Sequence, residues 1–165
     1  IPVLDCGVGT GALTLALHQI TPLPLQLHGV DVAPKMVAEA RHRLAEAGAS
    51  LQAKVHDICA LPYADHSFHL VMNAHTLEHL AEPQVGLREM VRVLQPGGLL
   101  LLIVTRPGLL GRLLDARWGL CLITPTELQQ WLQAAGLSEV QFHPLGGPHW
   151  CRWLSFSCTA RKVAG

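Results

Sequence analysis

A chain of 165 residues has the length of a single domain and is long enough to bury a hydrophobic core. Half of its residues are hydrophobic, only 15% are charged, and its 12 lysines and arginines balance its 12 aspartates and glutamates. Nucleic-acid binding draws much of its free energy from neutralised phosphates, so the lack of net charge disfavours nucleic acid as the main partner. We therefore predict one domain over residues 1–165 whose partner is a small molecule.

The cysteines and the apolar segments bear on the cellular compartment. Five cysteines, an odd number, are scattered along the chain without a C-x-x-C pair. This pattern is typical of reduced thiols in a cytoplasmic protein rather than of a disulfide framework or a zinc site. The longest strongly apolar run, residues 99–104, is far below the ~18 residues that a membrane helix needs. We predict a cytoplasmic protein without a membrane span.

Short apolar runs alternate along the chain with segments of helical periodicity, which predicts βα units around a parallel sheet. The predicted strands, in chain order, are residues 1–5, 25–32, 51–55, 68–73, 98–105, 140–144 and 153–160. Helices are predicted from the glycine-rich turn to about residue 18, from 34 to 48, from around Leu87 to Pro96 and Gly97, and from 124 to 136. The expected fold is a Rossmann-like three-layer α/β sandwich, with a mostly parallel seven-stranded sheet that ends in an antiparallel hairpin.

A glycine-rich turn, DCGVGTG, follows the first predicted strand and contains Gly7, Gly9 and Gly11. Glycines at such a turn allow close approach of the backbone to a ligand, and the following helix presents its N–H groups there. Gly7, Gly9 and Ala12 also satisfy the dinucleotide pattern G-x-G-x-x-G/A, with Asp31 near the distance expected for a ribose-binding acid. The turn alone therefore leaves an oxidoreductase that uses a nicotinamide cofactor open.

Asp5 distinguishes the two classes of cofactor. A carboxylate two positions before Gly7 would lie close to a dinucleotide pyrophosphate and repel it. S-adenosylmethionine has no phosphate and carries a sulfonium and an ammonium group, which a neighbouring carboxylate attracts. Asp31, at the end of the second predicted strand, can accept hydrogen bonds from ribose hydroxyls with either cofactor. Asp5 therefore favours S-adenosylmethionine, the alternative being that it is an ordinary residue at a strand end.

Five motifs follow one another along the chain. They are VLDCGVGTG at 3–11, GVDV at 29–32, HDI and LPY with SFHLV between 56 and 71, LEHL at 77–80, and LQPGG at 94–98. In this order they resemble the class I S-adenosylmethionine-dependent methyltransferases, in particular the type-11 group, over essentially the whole chain. The resemblance implies an enzyme that moves a methyl group from S-adenosylmethionine to an acceptor, which we expect to be small and apolar.

The resemblance also implies roles for particular residues in cofactor binding. Asp57 would accept a hydrogen bond from the adenine amino group, and the amide of Ile58 would donate one to the adenine ring. Val32 and Met36 would enclose the adenine, although plain core packing explains Met36 equally well. Asn73, at the end of the fourth predicted strand, would lie at the methionine end of the cofactor.

Residues 75–79 read HTLEH, which matches the inverted zinc-protease motif H-x-x-E-H. However, the segment reaches Pro83 within one short turn, no third ligand stands out, and LEHL is what the resembled family places here. We therefore predict no metal site. His75 and His79 lie near the carboxyl end of the sheet, where ligands bind in open α/β folds, so either could be a general base. Each could equally be a structural or solvent-facing histidine.

The acceptor side of the molecule is predicted from residues 106–123, which mix leucines and Trp118 with Arg106, Arg112 and Arg117. This segment either covers a hydrophobic acceptor, such as a quinone, a lipid precursor or a polyketide, or forms a short amphipathic helix that closes the core. In the resembled family, helices before the first strand commonly cover the acceptor; because the chain opens inside a strand, we expect them to be absent.

Two alternative functions stay open: a nicotinamide-dependent oxidoreductase and a catalytically inactive methyltransferase-like binding module.

Overall fold

The computed structural model describes residues 1–108, 119, 121–146 and 154–164. Its strands are β1 (Pro2–Cys6), β2 (Gln26–Asp31), β3 (Leu51–Val55), β4 (Phe68–Ala74), β5 (Leu94–Thr105), β6 (Leu137–Pro144) and β7 (Ser155–Lys162). Its helices are α1 (Ala12–Ile20), α2 (Pro34–Glu46), α3 (Pro83–Val93) and α4 (Pro125–Ala134). All seven predicted strands and all four predicted helices occur, in the predicted order, with ends that differ by a few residues.

The seven strands form one sheet in the order β3-β2-β1-β4-β5-β7-β6. Neighbouring strands from β3 to β5 are parallel, whereas β7 runs antiparallel to both β5 and β6. The predicted Rossmann-like α/β fold with a closing antiparallel pair is therefore confirmed. The last strand of the chain does not lie at the edge of the sheet, because β7 inserts between β5 and β6.

Helices cover both faces of the sheet and produce two hydrophobic cores. Adjacent residues of β1 point to opposite faces, so Val3 belongs to one core and Leu4 to the other. The core around Val3 is completed by α1 and α2, and the core around Leu4 by α3 and α4. With strands buried on both faces, this is the expected three-layer arrangement.

The boundary between α3 and β5 corrects one prediction. The helix ends at Val93, three residues before Pro96, and Leu94 already pairs with Phe68 as the first residue of β5. Because the residue before a proline is disfavoured in the α region, the chain has left the helix before it reaches Gln95. Leu94 is fully buried, as its position in the helical pattern predicted, but it fills the core from the strand.

A capping box starts α4, as the sequence predicts. The Thr124 hydroxyl accepts a hydrogen bond from the Glu127 N–H at 3.2 Å, and the Glu127 carboxylate accepts one from the Thr124 N–H at 2.9 Å. Much of the acceptor segment before this helix, including Trp118, Arg112 and Arg117, lies outside the described residues. Within the described ranges, no helix has both the length and the hydrophobicity of a membrane span.

Candidate functional site

The predicted site residues follow the carboxyl ends of the parallel strands. The chain passes from β1 through α1 to β2 on one side and from β4 through α3 to β5 on the other, so the strand order reverses between the neighbouring strands β1 and β4. In open α/β sheets, ligands bind in the crevice at such a switch point. The loops after β1 and β4, which contain the glycine motif and the two histidines, meet here.

The three glycines of the motif differ in their surroundings. All have positive φ, with values of 76° for Gly7, 50° for Gly9 and 75° for Gly11. A Cβ on Gly11 would lie 2.8 Å from Leu44 Cδ2 and 3.3 Å from Ala40 Cα, so glycine lets the start of α1 pack closely on α2. A Cβ on Gly9 would meet no atom closer than 4.0 Å, which leaves open space beside the backbone. Gly9 is therefore the glycine that a ligand can approach most closely.

Gly7 supports the loop that follows β4. A Cβ on Gly7 would overlap the Thr76 side chain, 2.6 Å from Thr76 Cγ2, and the Thr76 hydroxyl is itself tied to the Ala74 carbonyl oxygen at 3.1 Å. The turn with the two histidines thus rests directly on the glycine loop.

Gly7→Ala should therefore lower the free energy of unfolding more than a substitution that only strains the backbone. Gly48 is the matched control, since its φ of 75° is close to that of Gly7 but a Cβ added there would have no atom within 4 Å. Both variants lose ~1–2 kcal/mol for an alanine in the left-handed region, and Gly7→Ala loses roughly 1–3 kcal/mol more for overpacking. Urea unfolding of both variants measures the difference. An equal loss of unfolding free energy in the two variants would show that the Thr76 side chain moves aside without destabilising the fold.

Asp31 ties the glycine loop to the end of β2. Its Oδ2 accepts a hydrogen bond from the Gly9 N–H at 2.9 Å, and its Oδ1 accepts one from the Ala33 N–H at 2.9 Å. The side chain is only partly buried. An ionised carboxylate offers about four lone-pair sites, so both oxygens retain capacity for the hydroxyls of a ribose.

Asp5 lies beneath the glycine loop rather than on its surface. Its side chain is 2% exposed, and its Oδ2 accepts a hydrogen bond from the Thr14 hydroxyl at 2.6 Å. Burial raises the pKa of Asp5 to about 7, although the hydrogen bond from Thr14 acts in the opposite direction. Its role in cofactor binding stays a prediction.

The residues predicted to enclose adenine or to hydrogen-bond to it include both exposed and buried side chains. Val32 is 68% exposed, and Met36 is half-buried in the first turn of α2. Asp57 is exposed, and its Oδ1 accepts a hydrogen bond from the Cys59 N–H at 2.8 Å at the start of a short 3-10 turn. The side chain of Ile58 is 3% exposed and belongs to the core, so only its backbone can face a ligand.

Val55 was missed by the sequence reasoning. It is the last residue of β3, pairs with Asp31 in the sheet register, and is 50% exposed. Exposed valines at the carboxyl ends of two neighbouring strands, Val32 and Val55, give this edge an apolar surface next to Asp31. The available signal was the apolar end of the third strand, two residues before Asp57.

Asn73 is fully buried and joins the two loops of the crevice. Its Nδ2 donates to the Cys6 carbonyl oxygen at 2.6 Å, and its Oδ1 accepts from the Leu77 N–H at 3.2 Å. The amide thus connects the end of β1 to the turn after β4. In this geometry Asn73 contributes to the site by holding these loops together, and its predicted contact with the methionine end stays a prediction.

The two candidate bases differ in their surroundings. His75 has a left-handed φ of 53°, and its side chain is 47% exposed. Its Nδ1 lies 3.4 Å from Glu78 Oε1 and 3.4 Å from the Thr105 hydroxyl. His79 is exposed at the end of the 3-10 turn Leu77–His79. Glu78, which the sequence reasoning read only as part of a motif, is 1% exposed.

This geometry bears on the zinc-protease alternative. Leu77–His79 is a single 3-10 turn and His75 precedes it with a positive φ, so the two histidines do not share one face of an α-helix. Among the residues that the structure describes, no group of three or more histidines, cysteines, aspartates or glutamates could hold a metal ion.

Comparison with known proteins identifies the family. A family model described as a methyltransferase domain matches residues 4–102, which include the glycine loop, Asp31, Asp57 and the histidine turn. The chain belongs to the S-adenosylmethionine-dependent methyltransferases. This membership supports S-adenosylmethionine as the cofactor and gives no support to the nicotinamide-dependent oxidoreductase. The residues present fit that cofactor, because Gly9 faces open space and Asp31 retains free acceptor sites.

Similar proteins include two curated relatives and one solved structure. The demethylmenaquinone methyltransferase of Thermus thermophilus is 35% identical over 105 residues, which cover 64% of this chain and 47% of the relative. The chloroplastic 2-methyl-6-phytyl-1,4-hydroquinone methyltransferase 1 of Oryza sativa is 31% identical over 163 residues, covering 92% of this chain and 45% of the relative. The chain thus spans about half the length of these relatives.

The solved structure is the CurJ carbon methyltransferase, with a TM-score of 0.85 and 19% identity. The match covers 99% of this chain and 49% of that one. At this identity the likeness concerns the fold alone.

Proposed function

We propose that this chain is the core of an enzyme that transfers a methyl group from S-adenosylmethionine to a ring carbon of a prenylated hydroquinone, a small apolar acceptor. Two relatives are named for demethylmenaquinone and for a phytyl hydroquinone, and the second matches 92% of this chain. The observation that carries the proposal is the contact of Thr76 with Gly7, because it puts the histidine turn against the cofactor loop.

The chemistry divides between the cofactor and the chain. S-adenosylmethionine supplies a methyl group that its sulfonium has already activated. The chain aligns the reactants and excludes water, which are the main protein contributions to such a displacement. Asp31 holds the Gly9 amide and thus the shape of the loop. A hydroquinone carbon becomes a strong nucleophile when its phenol loses a proton, and the candidate acceptors of that proton are His75 and His79.

Calorimetric titration of the chain with S-adenosylhomocysteine, NAD and NADP tests the cofactor. We expect saturable binding of S-adenosylhomocysteine and none of the two nucleotides; preferential binding of NAD would contradict the proposal.

Methyl transfer is tested with radiolabelled S-adenosylmethionine and 2-geranyl-1,4-naphthohydroquinone, kept reduced with dithionite. We expect label in the organic extract. Binding of S-adenosylhomocysteine without transfer to this probe would support the inactive binding module instead.

The cellular setting is part of the same proposal. The described cysteines Cys6, Cys59, Cys121 and Cys158 are free thiols, which supports a cytoplasmic protein. That the chain forms a single domain over residues 1–165 stays a proposal as well.

A further inference from the structure

A carboxylate is buried beside the candidate base, in the loop after β4. Glu78 is 1% exposed, and its Oε1 accepts hydrogen bonds from the Thr105 N–H at 3.0 Å and the Thr105 hydroxyl at 2.7 Å. Although burial acts to raise the pKa of Glu78, hydrogen bonds from His75 and Thr105 lower it below its ordinary value. The group is therefore held as a carboxylate inside the protein.

A buried carboxylate needs partners, because desolvation of an unpaired charge is costly. Among the described residues, no lysine or arginine forms an ion pair with Glu78, and its Oε2 has no hydrogen-bond partner. The one group that can carry a positive charge at Glu78 within this part of the chain is the imidazole of His75, 3.4 Å away. His75 is therefore the side chain that the buried carboxylate is placed to orient.

The same contact orients the imidazole. Since Nδ1 of His75 faces Glu78 and Thr105, an N–H on Nδ1 leaves Nε2 as the acceptor of the ring. The 3.4 Å separation is long for a hydrogen bond, but such contacts commonly tighten when substrate binds. His79 makes no contact with a carboxylate among the described residues, which distinguishes the two histidines.

The backbone conformation of His75 fixes the position of its side chain near the glycine loop. Its φ of 53° lies in the left-handed region, which residues with a side chain rarely adopt and which His66 and Glu139 share in this chain. The strained conformation is retained by the hydrogen bond from the His75 N–H to the Ile103 carbonyl oxygen at 2.9 Å. The next residue, Thr76, packs against Gly7, so His75 directly precedes a residue that contacts the glycine loop.

We propose that Glu78 is a positioning residue that makes His75, rather than His79, the general base of the methyl transfer. The inference rests on the proposed function. The phenolic proton of the hydroquinone passes to His75 Nε2 while the ring carbon attacks the methyl group, so a carbon–carbon bond forms and the sulfur–methyl bond breaks. The ring carbon then loses its own proton, the phenolic oxygen regains one from His75, and one proton is released overall.

The test compares His75→Asn and Glu78→Gln with wild type, using the full chain and 2-geranyl-1,4-naphthohydroquinone. Asparagine suits position 75 because it tolerates a left-handed backbone. We expect kcat to fall ~100-fold or more in His75→Asn and roughly tenfold or more in Glu78→Gln, with little change in KM or in S-adenosylhomocysteine affinity. We expect a much smaller loss for His79→Gln. An equal loss in His79→Gln and His75→Asn would overturn the proposal.

Two readouts separate positioning from a merely structural role. If Glu78 acts through His75, the double variant is no slower than His75→Asn alone; additive losses would contradict the proposal. An analogue with fluorine on the second ring has a more acidic phenol and needs less help from a base. The loss in His75→Asn should therefore shrink on this analogue, and an unchanged loss would rule out a role in proton removal.

Control variants distinguish a failure of the proposed function from a failure of the role of Glu78. His42 and Glu46 form an exposed pair at 3.5 Å on α2, away from the crevice, so His42→Gln and Glu46→Gln should keep the wild-type rate. If Glu78→Gln fails to fold, Glu78→Asp takes its place, since it keeps the charge but withdraws it from His75. A wild-type chain that does not methylate the hydroquinone refutes the proposed function before any variant is compared, whereas a fully active Glu78→Gln refutes only the role of Glu78.

Discussion

Asp31→Ala should lose at least ~100-fold of its affinity for S-adenosylhomocysteine. The carboxylate accepts hydrogen bonds from the N–H groups of Gly9 and Ala33, so its removal releases the glycine loop from the end of β2. It also removes the acceptors that face the ribose hydroxyls. Hydrogen bonds to charged groups contribute about 1.5–3 kcal/mol each, so the loss of even two exceeds a 100-fold change. Isothermal calorimetry measures the affinity directly.

Asp65→Ala is the matched control for this experiment. Its carboxylate is also held by hydrogen bonding, to Arg92 at 2.8 Å, but it lies in the loop before β4, away from the carboxyl edge of the sheet. We expect unchanged affinity in this variant. Wild-type affinity in a folded Asp31→Ala, checked by circular dichroism, would mean that the cofactor is held without the end of β2.

Asp5→Asn should be more stable than wild type at pH 8 but not at pH 4. In the unfolded chain the Asp5 carboxyl has its ordinary pKa of 3.8, whereas burial raises the folded-state pKa to about 7. Between these values the folded state retains a proton that the unfolded state has released. The free energy of unfolding therefore falls as pH rises from about 4 to about 7 and stays low above that range.

The size of the effect follows from the same pKa values. At ~1.4 kcal/mol per pKa unit the ionised Asp5 costs up to about 4 kcal/mol at pH 8. Asparagine removes the charge and can still accept from Thr14, but its buried N–H groups cost about 1–3 kcal/mol. We expect Asp5→Asn to be roughly 1–3 kcal/mol more stable than wild type at pH 8, and no more stable at pH 4.

Urea unfolding at the two pH values measures this change, and Asp65→Asn provides a control of opposite sign. The hydrogen bond from Arg92 lowers the pKa of the exposed Asp65, so neutralising that side chain should reduce stability at pH 8. A lower stability of Asp5→Asn at pH 8 would show that the wild-type carboxyl is stabilised in its charged form. At pH 8, where Asp5 is ionised, we also expect weaker binding of S-adenosylmethionine by Asp5→Asn, because the loop loses the negative charge beneath it.

Local patterns in the sequence predicted most of the fold. The alternation of apolar runs with helical periodicity predicted the elements, and the Thr124–Glu127 capping box predicted the start of α4 correctly. Such signals depend on residues within about one turn or one strand of each other, so they are legible without knowledge of the rest of the chain. The end of α3 was misplaced because Leu94 fits the helical pattern, while the proline that follows ends the helix earlier.

The part of the candidate site that depends on residues close together in sequence was also predicted. Gly7, Gly9 and Asp31 belong to short motifs whose spacing is itself the signal. The difference between Gly9, which faces open space, and Gly11, which packs against Leu44, depends on a helix that is distant in sequence. Burial of Asp5 likewise depends on how α1 covers the end of β1.

The sequence by itself determined the alternation of strands and helices, the cofactor motif and the family, because each is encoded in residues that are close together along the chain. Only the tertiary structure decided that β7 inserts between β5 and β6, that Asn73 joins two loops, and that Glu78 faces His75 and Thr105. Thr105 is 27 residues from Glu78, and no local periodicity specifies that pairing. It arises because parallel strands bring their carboxyl ends to one edge of the sheet, where side chains from distant segments meet.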